Sequence, residues 1–142
     1  MRCKLGKRIE IKMAISPNAF SNVIDCDIHP TVPSLNALLP YMNEHWKDTI
    51  VQRGVHELET ISYPKNAPLT VRPDWRLEKG VPASNVDLIK KQALDPFGTS
   101  IAVLNCLYGV QLLMSEDMAS SIASAVNDWI KAEFLDKEPR LR

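Results

Sequence analysis

The chain has 142 residues, 45% of them apolar and 24% charged, with 17 basic against 17 acidic side chains. That size and composition fit a single globular domain, which most often runs to about 100–150 residues. Zero formal charge removes the overall field that draws a chain to nucleic acid or to an anionic membrane, and no run approaches the roughly 18 apolar residues of a membrane-spanning helix.

Residues 1–21 read as a basic N-terminal extension and lead-in loop. Arg2, Lys4, Lys7, Arg8 and Lys12 stand against Glu10 alone in the first twelve residues. No apolar core follows them, so they do not make a signal peptide, and a solvated tail is the plainer reading. Cys3, Cys26 and Cys106 are odd in number, far apart and in no CxxC spacing. This speaks against a disulfide framework and for a reducing, cytoplasmic setting.

Val23-Ile24-Asp25-Cys26-Asp27-Ile28-His29-Pro30 predicts a short strand ending in a carboxylate and an imidazole two residues apart. Residues i and i+2 of a strand share a face, so Asp27 and His29 can reach one metal ion together. Asp25 lies on that face too, one step deeper, either orienting a ligand or bonding nearby backbone. Cys26 and Ile28 point the other way, as packing. A carboxylate with an imidazole accepts Zn²⁺, Mn²⁺ or Fe²⁺, whereas the plainer alternative is a solvated or hydrogen-bonded strand end.

Pro30 and Pro33 stop the strand. Ser34 predicts an N-cap for a helix over 35–52, with Leu35, Leu38, Leu39, Met42, Trp46, Ile50 and Val51 at helical spacing. Pro40 interrupts it, which predicts a short turn up to Leu39 and then a helix with Pro40 in its first turn. Gly54 lies just past the end. His45 and His56 read as solvated surface side chains. Residues 54–83 hold no period and are broken by Pro64, Pro68, Pro73 and Pro82. Loops this long are usually functional or disordered. Tyr63, Arg72, Trp75 and Arg76 suit a lid over a pocket, the arginines facing an anionic substrate.

Ser84-Asn85-Val86-Asp87 resembles a capping box and opens a helix to about Leu94. Asp95-Pro96-Phe97-Gly98 is a turn. Residues 100–105 form a second strand, apolar enough to be buried on both faces, as in a parallel sheet covered by helices. Asn105 at its end is either a pocket liner or a turn former. Ser115 caps the clearest helix, with Glu116 and Asp117 placed against its dipole and Met118, Ile122, Ala125, Val126, Trp129, Ile130 and Phe134 along one stripe. The order strand, helices, strand, helix predicts a parallel α/β arrangement over residues 22–142.

Ile24-Asp25-Cys26-Asp27-Ile28-His29-Pro30 closely resembles the first-strand motif of the amidohydrolase-related family, the branch of the amidohydrolase superfamily that holds aminocarboxymuconate-semialdehyde decarboxylase-like enzymes. Leu39-Pro40-Tyr41-Met42-Asn43-Glu44-His45-Trp46 looks like the segment that follows that strand. Asp95-Pro96-Phe97-Gly98 with Ala102-Val103-Leu104-Asn105 is similar to the family's turn and second strand. Ala125-Val126-Asn127-Asp128-Trp129 and Glu138-Pro139-Arg140-Leu141 are similar to its second helix and exit. The resemblance covers about residues 22–142.

It implies the first two strand–helix units of a (β/α)8 TIM barrel of typically about 250 residues, the barrel left incomplete. It also implies that Asp27 and His29 are metal ligands, since the family's paired motif is often His-x-His with Asp or Glu replacing the first His. Further ligands, another His and an Asp, would come from later strands beyond Arg142. A divalent metal, zinc or manganese, and a small-molecule substrate follow, with hydrolysis of a C–N or ester bond or decarboxylation of an aromatic or related acid as the reaction. The alternatives are a non-catalytic remnant, whose exposed sheet edge favours self-association, and a small α/β binding module using the loop at 54–83.

Overall fold

The computed structural model describes residues 22–58, 71–110 and 113–142. The expectations for the basic extension and for Tyr63 lie outside them. Among the described residues, β1 (Val23–Ile28) is followed by a 3-10 turn (Leu35–Tyr41), α1 (Glu44–Gln52) and a second 3-10 turn (Pro73–Trp75). Then come α2 (Val86–Ile89), β2 (Thr99–Leu104) and α3 (Glu116–Ile130). The architecture is mixed α/β around a parallel β1–β2 pair.

Pro40 decides the first helical region. It stays inside the 3-10 turn, and the backbone leaves helical geometry at Met42 and Asn43 before α1 begins. The expected cap at Ser34 makes no side-chain bond. Asn43 is the cap instead, its Oδ1 accepting the Trp46 N–H at 3.1 Å. A proline cannot donate to the turn before it, so the α-helix restarts where an amide side chain can satisfy the freed N–H groups. At the other end Gly54 sits at φ +63°. The Gly54 N–H donates to Val51 and the Val55 N–H to Ile50, the paired closure that an αL glycine allows.

α2 and α3 share an ending. Each runs into a wider π turn, over Lys90–Leu94 and Lys131–Leu135. In each, the N–H of the following aspartate bonds back five residues at 2.9 Å, Asp95 to Lys90 and Asp136 to Lys131. The sequences Lys-Lys-Gln-Ala-Leu-Asp and Lys-Ala-Glu-Phe-Leu-Asp agree at their first and last two positions. The inserted residue re-aims the last turn, burying Ala93 and Leu94 in one case and Phe134 in the other. The chain next enters a β ladder in both.

The core joins these elements. Leu35, Leu38, Ile50, Leu94, Ile122 and Phe134 are fully buried. α3 contributes Ile122, Ala125, Val126 and Trp129, four positions of its expected stripe, and the Trp129 and Phe134 rings meet edge to face with centroids 5.0 Å apart.

β2 is bonded on both edges. On one side it pairs with β1. On the other, Ala102 and Leu104 donate to the carbonyls of Arg140 and Arg142 at 2.8 and 2.7 Å, and the Arg142 N–H returns to Ala102 at 2.8 Å. Leu141 thus stands opposite Ala102 in a parallel bridge. Glu138, only 5% exposed, holds this segment in place. Its Oε1 accepts the Arg140 backbone N–H and Nε at 3.1 and 2.9 Å, and Arg140 Nη2 reaches both Glu138 Oε2 and Asp95. A buried carboxylate demands such partners. The expectation that β2 is buried on both faces needs correcting. Ala102 is fully buried, but Val103 is 39% exposed, as is Ile24 at 58%. Ile24 pairs with Ile101, which shares Val103's face, so that face is left uncovered by the described residues.

Two expected outcomes follow from this packing. Asn43→Ala lowers stability by about 1 kcal/mol, a fall of roughly 2–4 °C in Tm, whereas Ser34→Ala stays within about 0.5 kcal/mol; equal losses in thermal melts would contradict the reassigned cap. The bonds from Arg140 hold the Glu138 carboxyl well below its ordinary value of 4.5, at about 2. A carboxylate with a depressed folded pKa stabilises the fold above its unfolded pKa and loses that stabilisation as the pH falls through the folded one. Wild type should therefore lose more stability between pH 4.5 and about 2 than Glu138→Gln does, and parallel acid melts would remove the role given to this carboxylate.

Candidate functional site

Parallel strands end at the same side of a sheet. The C-terminal ends of β1 and β2 are therefore adjacent, and the Asn105 N–H donates to the Ile28 carbonyl at 2.8 Å across them. Asp27, His29 and Asn105 meet at this edge. The His29 Nδ1 lies 2.8 Å from the Asn105 carbonyl oxygen. A carbonyl only accepts, so Nδ1 carries the proton and donates. In the neutral ring Nε2 is then left as a bare acceptor.

That bare nitrogen faces a carboxylate. His29 Nε2 is 3.5 Å from Asp27 Oδ1, with the imidazole 22% exposed and the Asp27 side chain 71% exposed. Two acceptors directed at each other repel unless a cation lies with them, either a proton on Nε2 or a metal ion. The sequence placed these two side chains together, and the structure brings them together. Asp25 behaves differently. Its Oδ1 accepts the Asp27 backbone N–H at 3.1 Å, which is the backbone-bonding alternative.

The pairing register explains how the strand does this. Asp25 stands opposite Ala102, and Ile28 stands opposite Leu104. Three steps along β1 thus match two along β2, so the strand carries an extra residue just before its end. Plain alternation does not hold there. Cys26, expected in packing, is an exposed free thiol, whereas Ile28 is buried. The second thiol near the site is quiet: burial pushes Cys106 up to about 11, which keeps it protonated at neutral pH and poorly reactive.

Among the described residues, Arg72, Trp75, Arg76 and His45 meet partners away from the strand end. Arg72 holds the Asp74 carboxylate with Nε and Nη2 at 3.0 and 2.7 Å and lies over the Trp75 ring at 4.9 Å. Arg76 Nε donates to the Val71 carbonyl and Gln92 to that of Trp75. These groups tie residues 71–76 to one another and to α2's extension. His45 is exposed and meets the Trp46 ring edge on.

An open groove of about 620 Å³ lies elsewhere, lined by Tyr41, Asn43, His45, Trp46 and the α3 residues Asp117, Ser120, Ser121 and Ser124. Three of those groups are already bonded within the chain, Asn43 to Trp46, Tyr41 to Glu133 and Ser124 to Ser120. The strand end is the better site on chemistry, because there an imidazole nitrogen and a carboxylate face one another at 3.5 Å. Among the described residues, no group of three or more His, Cys, Asp and Glu side chains is placed to hold a metal ion. One contributor was invisible in the sequence: the Asn105 carbonyl, a backbone group every residue carries. The chain matches no protein-family model and no curated protein.

At a pH where the ring is neutral, two-bond ¹H–¹⁵N correlation spectra should show His29 protonated on Nδ1 with a bare Nε2. The opposite tautomer would remove the geometry on which the site rests.

Proposed function

We propose that the chain is the N-terminal portion of a metal-dependent amidohydrolase-related enzyme, with Asp27 and His29 as two ligands of a divalent metal, zinc or manganese. The observation that carries this reading is the His29 ring. Its Nδ1 is held by the Asn105 carbonyl and its Nε2 is turned to the Asp27 carboxylate. Metal-binding histidines characteristically donate their other ring nitrogen to a carbonyl or carboxylate, which sets the tautomer and the ring orientation. A neutral imidazole and a carboxylate are also the donor types that zinc and manganese accept.

The fold supports the same reading. β1, β2 and the ladder at Arg140–Arg142 run parallel and side by side in chain order. This is how a (β/α)8 barrel begins, and such barrels carry their chemistry at the C-terminal ends of the strands. A functional centre needs at least three protein ligands and an open position, so the pair is part of a ligand set that later strands would complete. When bound, the metal lowers the pKa of its water toward ~7 and polarises a carbonyl or carboxylate oxygen. The substrate is then a small molecule, either hydrolysed at a C–N or ester bond or decarboxylated, in the cytoplasm. No described helix is long and apolar enough to cross a membrane.

A second reading has its own observation. The exposed Ile24 and Val103 support a non-catalytic chain that self-associates through its uncovered sheet face.

Calorimetric titration of the purified chain with Zn²⁺ and with Mn²⁺ separates the two. Wild type should bind one ion, and Asp27→Asn or His29→Ala should each weaken binding at least about tenfold, some 1.4 kcal/mol. Uptake no greater than that of the double variant, together with a concentration-dependent mass in sedimentation, would exclude the metal reading and favour the second.

A further inference from the structure

We infer that Asp25 is the positioning residue of the strand-end pair. By accepting the Asp27 N–H, it holds the extra residue of β1 in the arrangement that turns the Asp27 carboxylate toward His29. The inference rests on the reading of Asp27 and His29 as metal ligands, and it deepens that site.

The register shows what is at stake. With plain alternation after Asp25, Asp27 would stand opposite Leu104, on the side where Ala102 is fully buried. Ile28 would stand on the other side, where Ile24 is 58% exposed. The charged side chain would face the interior and the apolar one would face water. One extra residue reverses both outcomes. Ile28 takes the place beside Leu104 and is 8% exposed, and the Asp27 side chain is 71% exposed and 3.5 Å from His29 Nε2.

Inserting a residue into a strand takes a backbone group out of the ladder. An N–H released in this way needs an acceptor. A carboxylate two residues back reaches it through a local side-chain-to-backbone bond, a geometry that aspartate and asparagine favour. Asp25 Oδ1 fills this role at 3.1 Å. The acceptor, and not the charge, does the positioning. Asparagine presents the same oxygen and should substitute, whereas alanine has none.

Zn²⁺ titration by calorimetry, with ¹⁵N spectra of the Asp27 amide and the His29 ring in the zinc-free chain, tests this. Asp25→Ala should weaken Zn²⁺ binding about tenfold or more, as loss of a ligand-orienting group does, and should move the Asp27 amide and His29 ring signals. Asp25→Asn should keep the affinity within about threefold of wild type and leave those signals in place. An alanine variant that changes neither the affinity nor the signals would overturn the proposal, as would an asparagine variant as damaged as the alanine one. If wild type binds no more Zn²⁺ than the Asp27→Asn/His29→Ala chain, the metal reading fails by itself, and the amide and ring signals alone decide the role of Asp25. If Asp25→Ala does not fold, Asp25→Asn decides: retained signals despite the lost charge support the role, and displaced signals overturn it.

Discussion

The structure depends on the parallel pairing of β2 with a neighbour on each side. Parallel strands need long crossovers, and here those crossovers supply the helices that bury one side of the ladder. Ala102 sits at the centre. Asp25 opposes it on one edge and Leu141 on the other, and it is fully buried. Because all three segments run the same way, their C-terminal ends gather at a single edge, and whatever the chain carries there is brought together without further design. Asp27, His29 and the Asn105 carbonyl are what it carries.

The electrostatics divide into two kinds. Toward Arg140–Arg142, Glu138, Arg140 and Asp95 form a closed set in which a buried carboxylate is fully bonded. Such a network is strained by nothing and invites nothing; it locks the third segment against β2. At the strand end the reverse holds. In the neutral ring the Asn105 carbonyl fixes the Nδ1 proton, and the groups that remain, Nε2 and the Asp27 carboxylate, are then both acceptors. An arrangement of acceptors without a donor is a place for a cation. This contrast between a satisfied and an unsatisfied polar cluster separates support from site here, more clearly than burial or the presence of a groove does.

Much of the layout was legible in the residues. Apolar spacing marked α3, and Ile122, Ala125, Val126 and Trp129 are buried as the stripe required. That Pro40 breaks the run was legible, because the missing N–H of proline acts locally; that Pro40 stays inside the 3-10 turn and the α-helix starts only at Glu44, not with Pro40 in its first turn, was not. The cap residue was not, since Ser34 and Asn43 both have the right chemistry and only the path of the turn decides which one meets a free N–H. The same holds at Ser84 and Asn85, where the cap falls on Asn85, which accepts the Leu88 N–H. Arg72 and Arg76 have partners close in sequence, Asp74 and the Val71 carbonyl, that local spacing alone does not reveal.

The sequence by itself determined the order of strands and helices and the two side chains, Asp27 and His29, that meet at the strand end. The order follows from local spacing, and the short separation of Asp27 and His29 puts both at the strand end, although plain alternation does not hold there. Only the tertiary structure decided which way those side chains face. The extra residue between Asp25 and Ile28 is defined against β2, not within β1, and the proton on His29 Nδ1 is assigned by a carbonyl 76 positions away in the chain. Register and tautomer are relations between segments, so no reading of a single segment contains them.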